Sequence, residues 1–63
     1  MSDYKSRLII ESKELMKKLT KLRAFNSSDA VKQLDEREQR LLAAQQQALT
    51  RYYDILETRL AGL

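Results

Sequence analysis

The sequence predicts an all-α fold: an antiparallel helical hairpin with a short helical turn between its arms, assembling into a homo-oligomeric helical bundle. Three observations carry this reading. Large apolar residues recur every seven positions: Leu8, Leu15 and Leu22, then Leu42, Leu49, Leu56 and Leu63, shadowed by Leu34, Leu41, Ala48 and Ile55. Helix breakers are almost absent, with no Pro and with Gly62 as the one Gly. The one clear break is Phe25-Asn26-Ser27-Ser28-Asp29, where Asn, Ser and Asp side chains compete for nearby backbone groups and favour turns.

The first helix is expected over residues 3–24. Ser2 or Asp3 can cap it, because a small polar side chain accepts a hydrogen bond from an otherwise unpaired backbone N–H. Its apolar stripe is Tyr4, Leu8, Leu15, Leu19 and Leu22, flanked by Ile9 and Met16. Steps of three and four keep these side chains on one face. Ser12 leaves a small polar gap in the stripe. Asp3 with Arg7, and Glu14 with Lys18, are acid-first pairs four apart, each adding about 0.3 kcal/mol to the helix. Phe25, the sole Phe, reads as a plug at the hairpin end of the core.

A short helical turn is expected over residues 29–34, and a second helix over 36–61. Asp35 followed by Glu38 has capping-box spacing, in which the cap side chain accepts from the third helical N–H and the later carboxylate reaches back. Asp35, Glu36 and Glu38 also place negative charge at the positive end of the helix dipole. At about 1.5 Å per residue, arms of about 33 Å and 39 Å match as a hairpin, whereas a helix starting at Ser28 overshoots its partner. The second helix is apolar over a wide arc of Leu41, Leu42, Gln45, Ala48, Leu49, Tyr52, Tyr53, Ile55, Leu56 and Leu60. One neighbour covers a narrow seam, so this arc implies two or more neighbours.

At 63 residues the chain is a single helical-hairpin domain whose core is marginal alone. Such small scaffolds add disulfides, a metal or a partner subunit. Cys and His are absent, which removes disulfides and the usual zinc ligands and leaves self-association, with a dimer favoured. The expected contact residues are Leu8, Leu15, Leu19, Leu22 and Phe25 on one arm and Leu41, Leu42, Ala48, Leu49, Tyr52, Tyr53, Ile55, Leu56 and Leu60 on the other. Adjacent helical residues diverge by about 100°, so Tyr52 and Tyr53 face different neighbours. Gln45 reads either as an inward polar residue that fixes register or as a solvated helix former.

Charge and chemistry bound the function. The net charge of +3 is uneven: seven basic against three acidic residues over 1–25, five against six over 26–63. Lys13, Lys17, Lys18 and Lys21 form a basic cluster. It reads as a solvated face that keeps an apolar hairpin dissolved, or as a face for an anionic partner such as nucleic acid. No helix-turn-helix pattern accompanies it. No activating base stands beside the Ser and Thr hydroxyls, no Gly-rich phosphate loop occurs, and no cofactor motif is evident, so a non-enzymatic protein is expected. No apolar run approaches the roughly 18 residues of a membrane span, and residues 1–12 lack a signal-peptide core beyond Leu8-Ile9-Ile10, so the expected location is the cytoplasm.

The run Leu19-Thr20-Lys21-Leu22-Arg23-Ala24-Phe25, then Leu34-Asp35, Glu38-Gln39-Arg40-Leu41-Leu42, Tyr53-Asp54-Ile55-Leu56 and Arg59-Leu60, resembles a family of very small phage proteins encoded in the exo–xis region of lambda-like phages. The resemblance covers nearly the whole chain. It implies an early-expressed accessory factor that adjusts host physiology and the lysis–lysogeny balance, with no catalytic residues and no settled molecular target. Two functional classes stand beside it: a module that binds a host regulatory protein through an amphipathic helix or its charged face, and a small DNA-binding accessory protein using the first helix. In a variant of the first, a partner's helix replaces one subunit of the bundle.

Overall fold

A computed structural model describes residues 3–63. Helix α1 spans Asp3–Asn26, a short 3-10 helix spans Asp29–Gln33, and helix α2 spans Glu36–Ala61. The two long helices lie side by side as an all-helical hairpin, a rod of 48 × 14 × 13 Å. Contacts between positions 4 and 59, 12 and 57, and 26 and 42 show the helices to be antiparallel.

Asp3 stands inside α1 and does not cap it; the alternative cap, Ser2, lies outside the described residues. The helix runs two residues past the expected end. Asn26 does not bend the chain, because its side chain reaches across to α2: Nδ2 donates to the Leu42 carbonyl at 3.2 Å and to Gln46 Oε1 at 2.8 Å. The chain turns one residue later. Ser28 N–H donates to the Phe25 carbonyl at 3.0 Å and its hydroxyl to the same oxygen at 2.6 Å, which satisfies a carbonyl left open at the helix end. The 3-10 helix carries an exposed Lys32–Asp29 ion pair at 3.6 Å, the one ion pair among the described residues. Asp3–Arg7 and Glu14–Lys18 do not close as pairs there.

Asp35 starts α2. It is extended, with φ −68° and ψ 165°, and its Oδ1 accepts from Glu38 N–H at 2.8 Å. The reciprocal bond, in which the Glu38 carboxylate accepts from Asp35 N–H, is not formed among the described residues. Gln39 Nε2 donates to the Leu34 carbonyl at 2.8 Å and ties the linker to the new helix. Asp35→Ala should therefore cost about 1 kcal/mol. That appears as a fall of about 4–8 °C in melting temperature by circular dichroism; no change would mean that water caps Glu38 N–H equally well. At the other end Gly62 is right-handed, with φ −83°, so α2 ends without the left-handed glycine turn that closes many helices.

The core is small. Leu8, Leu15 and Leu56 form one buried cluster, with Leu49, Tyr53 and Leu60 packed against it. Leu19 is also fully buried. All four buried leucines lie on the lines Leu8–Ser12–Leu15–Leu19–Leu22–Asn26 and Leu42–Gln46–Leu49–Tyr53–Leu56–Leu60, each a 3–4 repeat along one helix face. No helix among the described residues is long and apolar enough to cross a membrane.

Candidate protein-interaction surface

The wide apolar arc of α2 resolves into two faces. One is the seam line from Leu42 to Leu60. The other is Leu41, Ala48, Tyr52 and Ile55, all exposed. Each of these lies about 100° around the helix from a seam residue one position later, so one neighbour cannot cover both lines. Tyr52 is 42% exposed, whereas Tyr53 packs on the Leu8–Leu15–Leu56 cluster. Among the expected contact residues, the hairpin thus places Leu8, Leu15, Leu19, Leu22, Leu42, Leu49, Tyr53, Leu56 and Leu60 in its own seam. It leaves Phe25, Leu41, Ala48, Tyr52 and Ile55 outside.

Phe25 does not plug the hairpin end. It is 38% exposed, because Leu22 and Asn26 occupy the inward positions on either side of it. Phe25 precedes inward Asn26 and Leu41 precedes inward Leu42. In an antiparallel pair these equal offsets fall on the same side of the rod. That side also carries a shallow groove lined by Glu11, Glu14, Leu15, Lys18 and Tyr52. At the open end of the rod the Arg59 guanidinium donates to the Tyr4 hydroxyl and lies 5.7 Å from the centre of its ring, a cation–π contact.

Gln45 is exposed and Gln46 is the inward glutamine. A 100° step separates them, and the seam follows Leu42 and Leu49, so position 46 completes the four–three step. Two polar rungs therefore interrupt the seam. Near the turn, Gln46 accepts from Asn26, whose own Oδ1 is buried with no partner among the described residues. Near the open end, the buried Ser12 hydroxyl donates to Glu57 Oε2 at 2.7 Å. Ser12 fills the polar gap in the stripe with a cross-helix bond. Asn26 and Gln46 carried a periodic signal: each lies four residues after a seam leucine.

Lys13, Lys17, Lys18 and Lys21 are all exposed. Lys13, Lys17 and Lys21 follow one another at four-residue steps on the side of α1 turned from α2, while Lys18 sits in the groove beside Tyr52. Among the described residues no group of three His, Cys, Asp or Glu side chains gathers as metal ligands would.

The family model described as Sequestin matches residues 2–61 of this chain. No curated protein and no solved structure matches it.

Proposed function

This chain belongs to the Sequestin family, and on that premise we propose that it is a small accessory protein that acts without catalysis, through helix–helix contacts with protein partners. The observation that carries this reading is the second apolar face of α2, which the hairpin leaves uncovered at Leu41, Ala48, Tyr52 and Ile55. A monomer with no partner gains nothing from such a line of exposed apolar residues. One partner is a second copy of the chain, in a helical bundle. The other is a host regulatory protein that meets the charged outer faces of that bundle. The residue runs that resemble small proteins of the exo–xis region of lambda-like phages support a phage origin, action in the host cytoplasm, and a role in host physiology and the lysis–lysogeny balance. Expressing the chain in a sensitive host before infection should change the fraction of lysogens. An unchanged fraction, with the folded chain present, would overturn the role.

A second reading rests on the line of Lys13, Lys17 and Lys21 along α1. It makes the chain a small basic DNA-binding protein. Fluorescence anisotropy with a labelled duplex separates the two. The protein-partner reading expects no saturable binding at low salt. Binding that weakens with salt, and whose log–log salt slope shrinks by about three when three lysines become Ala, would replace it with the DNA reading.

A further inference from the structure

We propose that the Leu41–Ala48–Tyr52–Ile55 face binds the same face of a second copy, with the two α2 helices antiparallel about a two-fold axis that passes between Ala48 and Tyr52. The proposal rests on the self-association argued above and supplies its face, direction and centre.

The rod exposes 5106 Å². A compact monomer of its 7.4 kDa mass is expected to expose about 4,200 Å². The excess of about 900 Å² is close to the roughly 800 Å² that each partner buries in a stable interface of standard size. A second rod laid along this one removes surface that its elongated shape leaves in water.

Side-chain size gives the direction. A two-fold axis level with position 50 sets Ala48 of each copy opposite Tyr52 of the other, so a large ring meets a small residue twice by symmetry. The parallel alternative stacks Tyr52 on Tyr52 and leaves Ala48 facing Ala48, a bulge beside a gap. Charge gives the same direction. The first turn of α2 carries Glu36 and Glu38, and its last turn carries Arg59. Antiparallel helices bring Arg59 of one copy beside Leu41 and within reach of Glu38 of the other. The Arg59 stem then covers the leucine, and its guanidinium, which also donates to Tyr4 within its own hairpin, has further N–H groups to meet a carboxylate. Parallel helices bring like ends together, and their dipoles repel.

The chain has no Cys, so one spin label can be placed cleanly. Arg37→Cys, labelled with a nitroxide, puts a reporter on an exposed position thirteen residues from the axis. Pulsed electron paramagnetic resonance should then give a distance of about 40 Å between copies, from a rise of 1.5 Å per residue. Sedimentation equilibrium on the same sample should give the dimer mass. A dimer with labels closer than about 20 Å, as helices packed 8–10 Å apart in parallel would show, overturns the antiparallel arrangement but leaves self-association standing. A helical monomer at tens of micromolar overturns both. Tyr52→Asp identifies the face. Because Tyr52 is exposed in the hairpin, helix content should hold while the dimer weakens by at least about thirty-fold, as for a central aromatic anchor. An undiminished dimer in this variant would move the interface elsewhere.

Discussion

Leu56→Ala should leave the hairpin largely unfolded at 25 °C. Leu56 is fully buried, the one such residue on α2, and it closes the cluster with Leu8 and Leu15. Truncating a leucine of this kind costs about 2–5 kcal/mol, because the lost transfer energy is joined by the cavity left behind. A chain of this length has a total stability on the order of 3–9 kcal/mol. With so few buried apolar residues, it belongs at the low end. The loss is therefore comparable to everything that holds the fold. Far-ultraviolet circular dichroism during heating should show a melting temperature lowered by tens of degrees, or no folded baseline. Lys17→Ala, on the exposed side of α1, should stay within about 0.5 kcal/mol of the parent. If Leu56→Ala melts with the parent, the packing around position 56 is not what stabilises the hairpin.

The second large effect is at the rung near the turn. Gln46→Ala removes the acceptor for Asn26 Nδ2, leaving it only the Leu42 carbonyl. The Asn26 amide is then under-satisfied at both ends, since its Oδ1 already lacks a partner among the described residues. Loss of a partner for a part-buried polar group costs about 1–3 kcal/mol. Replacing both residues by leucine should be neutral or stabilising, because no polar group is then left without a partner. The double variant should lose something else: an uninterrupted leucine seam lets the helices slide by a turn, as when a polar position in a coiled coil is removed. Urea denaturation of Asn26→Leu, Gln46→Leu and the double leucine variant gives the coupling, expected at about 0.5–3 kcal/mol. Additive effects would mean that Asn26 and Gln46 act independently.

The helical hairpin is legible in residues that speak locally. Asp35 and Glu38 mark the start of α2 because a cap works through one side chain and the N–H three residues on, and Leu8, Leu15 and Leu56 recur at helical steps whatever lies opposite. The cross-helix bonds are less legible. Asn26 reads as a turn residue because Asn competes for backbone groups in isolation; only a glutamine placed opposite makes it the last seam position of α1. Gln45 and Gln46 differ by a single 100° step, so a seam displaced by one residue exchanges their roles. The α2 arc is broader than one neighbour covers, but the repeat does not say which leucines meet α1 and which remain outside. That division depends on the register, which the Ser12–Glu57 and Asn26–Gln46 rungs set from opposite ends of the rod.

The position of the buried cluster has a kinetic consequence. Its members Leu8, Leu15 and Leu56 lie toward the open end of the hairpin, and the rung beside them joins residues 45 apart in sequence. A hairpin that zips outward from its turn gains its best contacts early and cheaply. Here the turn half offers a short 3-10 helix, a polar bond and the buried Leu19, and the three-leucine cluster forms only after a longer loop has closed. Most contacts lie within the helices, so folding should still be fast, with closure of the seam around Leu15 as its slowest step. Changes near Ser28 should alter the folding rate little, while changes at Leu15 should slow it markedly.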